Sequence, residues 1–138
     1  MKLIIYTDGA SRGNPGPASY GFTITDDSGK LIHQEGEYIG IATNNMAEYT
    51  AVLEALRCVK EKFSTNNQAV QVELYCDSKL VAEQLSGRYK IKSAHLKPLI
   101  ERIKILGLEL GGVLYFHIPR SKNTKADQLA NQALDSQA

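Results

Sequence analysis

The chain contains no tryptophan, only two cysteines and only four prolines among its 138 residues. Two single cysteines, Cys58 and Cys76, exclude a disulfide scaffold and a CxxC metal site. No run of about 18 apolar residues is present, so the sequence offers no membrane span. The apolar run at Leu3–Tyr6 is too short for the core of a signal peptide. We therefore expect a protein of a reducing compartment, the cytoplasm.

The composition is that of an ordinary globular protein, with 43% hydrophobic and 22% charged residues. This amount of apolar material suits one core, so we expect a single domain over residues 1–138. The net charge of +1 hides an uneven distribution. Ten lysines and arginines but three acidic residues lie between Lys79 and Lys125. Such a basic segment is typical of nucleic-acid binding, although a solvated helix surface explains it equally well.

Hydrophobic periodicity predicts five strands and four helices. The strands are expected at Lys2–Thr7, Ala18–Thr25, Lys30–Ile39, Val70–Cys76 and Val113–Ile118. The helices are expected at Asn44–Phe63, Ser78–Ser86, His95–Leu110 and Lys125–Leu134. Gly9–Pro17 resembles a turn cluster, Gly40–Thr43 a break and Ser64–Gln68 a polar loop. The order βββαβααβα predicts a mixed sheet with packed helices, in the α/β or α+β class.

Four carboxylates stand at the ends of predicted elements. Asp8 and Asp77 follow strands, Glu48 lies early in the long helix, and Asp127 opens the last helix. Each alone is explained by capping or by the helix dipole. Together they would repel one another unless a cation neutralised them, and oxygen ligands without histidine or cysteine favour Mg²⁺ or Mn²⁺. Such sites commonly hold two ions for phosphoryl transfer.

The segments around these carboxylates carry a family resemblance. Thr7–Pro17, reading TDGASRGNPGP, closely resembles the first motif of type 1 ribonuclease H, and Thr43–Glu48 resembles the second. Cys76–Ser78 and Ala126–Ala130 are similar to the third and fourth. All four occur in the family's order and span nearly the whole chain.

The resemblance implies a ribonuclease H fold, a five-stranded mixed sheet with helices on both faces. It also implies endonucleolytic hydrolysis of the RNA strand of RNA/DNA hybrids, giving 5′-phosphate and 3′-hydroxyl ends. By position, Asp8 would bridge two Mg²⁺ ions, with Mn²⁺ as a possible substitute. Asp127 would complete the site of the ion that activates water, while Glu48 and Asp77 would hold the other.

Further residues match positions that contact the hybrid, or supply nearby basic charge. Gly9, Ala10 and Ser11 would approach the RNA strand, where 2′-hydroxyls distinguish it from DNA. Other expected contacts are Asn14, Thr43, Asn45, Lys79, Arg88, Tyr89 and Lys90. Arg88, Tyr89 and Lys90 stand where larger bacterial relatives insert a basic, tryptophan-rich handle. Lys79 stands where many relatives carry a neutral amide. Asparagine or threonine at a helix start is also an ordinary cap, so both explanations stay open for Thr43 and its neighbours.

One departure from the family concerns the loop before the last aspartate, where many members carry a histidine. Here Pro119–Ala126 contains none, and His117 falls within a predicted strand. Arg120 takes that place, and we expect its guanidinium to approach the scissile phosphate, although a surface role is open. It stays protonated and so cannot act as a base. His33 and His95 are expected to be structural or simply exposed.

Two other functions fit the same residues. One is a non-catalytic nucleic-acid-binding module, which the missing histidine allows. The other is a related nuclease that cuts double-stranded RNA or RNA–DNA junctions. A nucleotide-binding phosphotransferase is disfavoured because no GxxxxGK[ST] loop is present. We expect a monomer without an obligate protein partner, and cysteines that serve as small core residues.

Overall fold

A computed structural model describes residues 1–63, 70–88, 90 and 93–137 of the chain. Five strands form one sheet: β1 (Lys2–Ser11), β2 (Gly16–Asp26), β3 (Leu31–Ala42), β4 (Gln71–Cys76) and β5 (Val113–His117). The helices are α1 (Asn44–Phe63), α2 (Lys79–Leu85), α3 (Lys97–Glu109) and α4 (Thr124–Asp135), with a 3₁₀ turn at Arg120–Lys122. The expected element order and class are confirmed; the expected loop at Ser64–Gln68 lies outside the described residues.

The sheet is mixed, with strand order β3-β2-β1-β4-β5. β2 pairs antiparallel with β1 and β3, whereas β4 runs parallel to both β1 and β5. Parallel neighbours require crossover connections, which the helical segments between β3 and β5 supply. Because β1 and β4 run parallel, they end at the same edge of the sheet, where the site described below lies.

Two expected boundaries at glycines were wrong. Gly9 and Ser11 belong to β1, where they pair with Tyr20 and Ala18 of β2. Likewise β3 continues through Gly40 to Ala42, because a bulge opposite Ala18 and Ser19 absorbs the irregular residue. Local composition indicates a turn at both places. Pairing with β2 instead keeps Gly9 in β1, and it carries β3 past Gly40, which has a φ of 86° at the bulge.

The main core lies between one face of the sheet and helices α1, α2 and α3. β1 contributes Leu3 and Ile5, and β2 contributes Phe22 and Ile24, all fully buried. The apolar stripe of α1 covers them, with the buried side chains Val52, Leu56 and Val59. Alternate strand residues point to opposite faces, so the residues between these face the other layer.

Helix α4 covers that opposite face, which confirms helices on both sides of the sheet. Gly21 and Gly36 make its close approach possible. A Cβ atom on Gly21 would lie 2.5 Å from the Ala126 carbonyl oxygen, and one on Gly36 would lie 2.5 Å from that of Leu129. The Ser19 hydroxyl donates to the Ala130 carbonyl and anchors the helix body. Within the described residues, no helix has the length and apolar character needed to span a membrane.

Candidate active site

The four predicted carboxylates lie at the sheet edge where β1 extends beyond β4. Pairing between these strands ends at Thr7 and Cys76, so Asp8 and Asp77 follow side by side. Asp8 is thus inside β1, not at its end as expected. Glu48 reaches the same point from the second turn of α1, and Asp127 from the first turn of α4.

Three of these carboxylates form a compact group that fits a metal ion. One oxygen each from Asp8, Glu48 and Asp77 lies within 4.8 Å of the others. Asp8 Oδ1 and Glu48 Oε2 are buried and have no hydrogen-bond partner in the described part of the chain. Buried carboxylate oxygens without donors are costly, and a hard divalent cation satisfies such oxygens. The donor set and the unpaired oxygens therefore fit Mg²⁺ or Mn²⁺.

Burial and mutual repulsion disfavour the ionised forms of the central pair. Burial first, and then the charge of Asp77, raise the pKa of Asp8 from 3.8 to about 7. The carboxyl groups of Glu48 and Asp127 lie within hydrogen-bonding reach of Asp8. Burial and the Asp8 charge likewise raise the pKa of Glu48 well above its ordinary value. The metal-free site therefore retains protons that a cation displaces.

We expect the metal-free protein to lose stability as the pH rises from about 4 to about 7. Because the pKa of Asp8 is higher in the folded protein than in the unfolded chain, the folded state binds more protons in this window. Mg²⁺ should restore the free energy of unfolding above about pH 7 and do little near pH 4. Urea unfolding across this pH range, with EDTA or with millimolar Mg²⁺, measures both effects. A metal-free stability that rises through this window would contradict the assignment.

Glu48 is held in place by the close contact between α1 and β1. A Cβ atom on Gly9 would lie 2.3 Å from the backbone nitrogen of Glu48, so only glycine fits there. The nearby backbone N–H of Gly9 favours the ionised form of Glu48 and partly offsets the rise in its pKa. At the start of the helix, the Thr43 hydroxyl accepts from the Met46 N–H at 3.1 Å, which confirms Thr43 as a cap.

Several predicted substrate contacts share a groove along the start of α1. One part, about 670 Å³, is lined by Asn14, Thr43, Asn44, Asn45, Met46, Ser93, His95 and Leu96. An adjoining part of about 570 Å³ is lined by Asn45, Leu80, Gln84, Arg88, Lys90, Ser93 and Leu96. The Asn14 side-chain oxygen accepts from the Asn44 N–H at 3.0 Å, which ties the glycine-rich segment to the helix. His95, expected to be structural or simply exposed, is exposed and lines this groove.

Other predicted contacts have structural partners or stand apart. Arg88 pairs with Glu83, and the Ser11 hydroxyl contacts the carbonyls of Gly13 and Ala42. Lys79 is exposed at the start of α2, and Arg120 is exposed at the start of the 3₁₀ turn. Ala10 is half-buried in β1. Tyr89 lies outside the described residues.

Two amides beside the carboxylates were not identified from the sequence. Asn123 Nδ2 donates to Asp77 Oδ2 at 3.2 Å and to the Thr7 carbonyl at 2.8 Å. Asn131 Nδ2 donates to Asp127 Oδ1 at 3.2 Å and to its carbonyl at 2.9 Å. The signal for Asn131 was present, since it lies four residues after Asp127 on one helix face. Both cysteines are free and buried, as expected.

Comparison with known proteins agrees with this arrangement. A family model described as reverse transcriptase-like matches residues 6–133. The crystal structure of LC11-RNase H1 in complex with an RNA/DNA hybrid has a TM-score of 0.90 and 41% identity, covering 97% of each chain. RNase H1 from the halophilic archaeon Halobacterium salinarum NRC-1 has a TM-score of 0.90 and 38% identity, covering 99% of each chain.

One relative is a longer protein that contains a segment similar to this chain. The bifunctional protein Rv2228c of Mycobacterium tuberculosis is 40% identical over 139 residues, which cover all of this chain. The chain spans 37% of that relative, little more than a third of its length. The matched fold, the matched sequence model and the full-length likeness to two RNase H1 structures agree: this chain belongs to the type 1 ribonuclease H family.

Proposed function

We propose that this chain is a divalent-metal-dependent endonuclease that hydrolyses the RNA strand of RNA/DNA hybrids, leaving 5′-phosphate and 3′-hydroxyl ends. The observation that carries the proposal is the carboxylate group of buried Asp8 and half-buried Glu48 and Asp77. Two of its oxygens are buried and have no hydrogen-bond partner among the described residues. The family includes an RNase H1 solved in complex with an RNA/DNA hybrid, which supports this substrate.

Each carboxylate has a distinct proposed role. Asp8, the most buried and the one that neighbours the other three, would bridge two Mg²⁺ or Mn²⁺ ions. Glu48 and Asp77 would hold one ion with it, and Asp127 the other. When bound, the metal supplies an activated water and positive charge at the leaving oxygen. The chain supplies the fixed geometry: β1 and β4 hold two carboxylates rigidly, and α1 and α4 bring the others to them.

The groove beside α1 is the proposed binding site for one strand of the RNA/DNA hybrid. Asn14, Thr43, Asn45 and Lys90 present amides, a hydroxyl and a positive charge along it, groups that bind a sugar–phosphate backbone without reading bases. Gly9, Ala10 and Ser11 continue from the carboxylates toward the RNA strand in this proposal. Arg88 and Lys79 would add attraction for phosphate, and Tyr89 would add a ring for stacking. Binding should weaken steeply with salt.

Arg120 is proposed as the phosphate contact that replaces the loop histidine of other members. It is exposed at the start of the 3₁₀ turn, and its carbonyl accepts from the Asn123 N–H at 3.0 Å. Asn123 in turn contacts Asp77, which brings the turn close to the carboxylates. A guanidinium suits this task because it binds phosphate oxygens in pairs.

The proposal is tested by cleavage of end-labelled oligonucleotides in low salt with Mg²⁺ or Mn²⁺. RNA/DNA hybrid, duplex RNA, single-stranded RNA, a hybrid with one RNA–DNA junction and duplex DNA are compared in parallel. We expect cleavage within the RNA strand of the hybrid, with 5′-phosphate products.

Other outcomes separate the alternatives. Cleavage of duplex RNA or only at junctions would favour the related nuclease. Hybrid binding without cleavage under either metal would favour the non-catalytic module and contradict this proposal. A single domain, a monomeric state, the absence of an obligate protein partner and a cytoplasmic location stay predictions from the sequence.

A further inference from the structure

The side chain of Asn123 is unusually placed for a residue that directly precedes a helix. It precedes α4, yet its side chain is only 1% exposed. An asparagine at this position ordinarily turns its side-chain oxygen back to a backbone N–H of the first helical turn. Here no such bond is made. The side chain points into the protein instead, toward the carboxylates.

The inward amide joins three segments that each carry a carboxylate. Asn123 Nδ2 donates to the carbonyl of Thr7, which immediately precedes Asp8, and to Asp77 Oδ2. The Asn123 carbonyl accepts from the Asp127 N–H at 3.2 Å, the first turn of α4. One residue thus fixes β1, the end of β4 and the start of α4 relative to one another.

Capping and general stability do not explain why the residue is an amide. The Asn123 Oδ1 atom is buried and has no hydrogen-bond partner among the described residues. A buried unpaired oxygen opposes folding, so the contribution of the side chain lies in the two bonds from Nδ2. A neutral donor also suits this position. It orients the Asp77 carboxylate without adding a positive charge that would repel a cation.

We propose that Asn123 is a positioning residue for the metal site. It holds Asp77 and the start of α4 in register with Asp8, and so raises the affinity of the site for Mg²⁺. The inference rests on the proposed function only in taking the carboxylates as a metal site. Loss of a hydrogen bond that orients a metal ligand typically lowers metal affinity or activity by about 10–100-fold.

The test compares Asn123→Ser and Asn123→Ala with Ser19→Ala. Serine is as favourable as asparagine at the position before a helix, so Asn123→Ser retains that preference but removes the amide donor that reaches Thr7 and Asp77. Ser19→Ala is the matched control, because it removes a buried hydrogen bond to the Ala130 carbonyl of α4 that touches no carboxylate. Calorimetric titration with MgCl₂ alone, without nucleic acid, measures affinity, and urea unfolding in EDTA measures stability.

We expect both Asn123 variants to bind Mg²⁺ about 10-fold more weakly. Their cleavage should recover as Mg²⁺ is raised. Ser19→Ala should lower the free energy of unfolding and leave the Mg²⁺ affinity unchanged. An unchanged affinity in Asn123→Ser, or an equal loss in Ser19→Ala, would overturn the proposal and make the contact purely structural. Cleavage of hybrid by the unaltered chain tests the proposed function separately, since the calorimetry needs no substrate.

Discussion

Asp8→Asn should abolish cleavage and, in the absence of metal, make the protein more stable. Asp8 neighbours all three other carboxylates and is 1% exposed. Replacing it removes the proposed bridging ligand, so we expect cleavage of the hybrid to fall by about 10³-fold or more. Loss of a single transition-state donor already costs about 10²–10³-fold.

Stability should rise although activity falls, because the ionised form of the same carboxylate is disfavoured in the folded protein. Its pKa of about 7 shows that burial and neighbouring charge disfavour the ionised form. Since one unit of pKa corresponds to about 1.4 kcal/mol, a neutral amide should raise the free energy of unfolding by about 2–4 kcal/mol near pH 8 in EDTA. The gain should be small near pH 4, where the carboxyl group is protonated in the folded protein and partly protonated in the unfolded chain.

Urea unfolding with EDTA, hybrid cleavage and hybrid binding in low salt measure the three quantities. Binding of the hybrid should persist, because the groove along α1 is untouched. Asn131→Ala serves as a control near the site, since it leaves all four carboxylates in place and should lack the gain in metal-free stability. If Asp8→Asn destabilises the protein at both pH values, the carboxylate serves the fold and the proposed metal role is wrong.

Local patterns predicted most of the elements, and their failures share one cause. Helix α1 was predicted at Asn44–Phe63, as observed, because its cap at Thr43 directly precedes the segment and its apolar stripe lies within it. Gly9 and Gly40 were taken as turn signals, yet both lie in strands. Pairing with β2 keeps Gly9 in β1, and Gly40 pairs with Ala18 at a bulge where its φ is 86°, so both places depend on a contact outside the local sequence.

The carboxylates of the site could be predicted from the sequence, but the residues that hold them in position could not. The carboxylates stand at element ends and within family motifs, so their positions are visible in the sequence. The role of Asn123 is not visible, because asparagine before a helix is an ordinary cap. Only the structure shows its side chain turned inward. Arg88 illustrates the converse. Its basic charge is visible in the sequence and predicts a substrate contact, whereas its ion pair with Glu83, five residues earlier, appears only in the structure.

Gly9→Ala should damage both the fold and the site, through packing and not through lost substrate contact. The added Cβ atom would lie 2.3 Å from the carbonyl carbon of Ala47 and from the nitrogen of Glu48. Both are backbone atoms, so no side chain can rotate aside and α1 must move. We expect the free energy of unfolding to fall by about 3 kcal/mol, at the upper end for overpacking. Displacing Glu48 by about 1 Å should lower cleavage about 10²-fold.

Gly107→Ala is the matched control, because it makes the same chemical change in α3. A Cβ atom there meets Val113 at 3.6 Å, an ordinary contact, and alanine favours a helix over glycine by about 0.5–1 kcal/mol. This variant should be slightly more stable and fully active. Urea unfolding and hybrid cleavage over a range of substrate concentrations separate the two explanations for Gly9. If Gly9→Ala keeps its stability and kcat but raises KM, the glycine serves the RNA strand directly. If stability and kcat fall together, its missing side chain is what lets α1 carry Glu48 to Asp8.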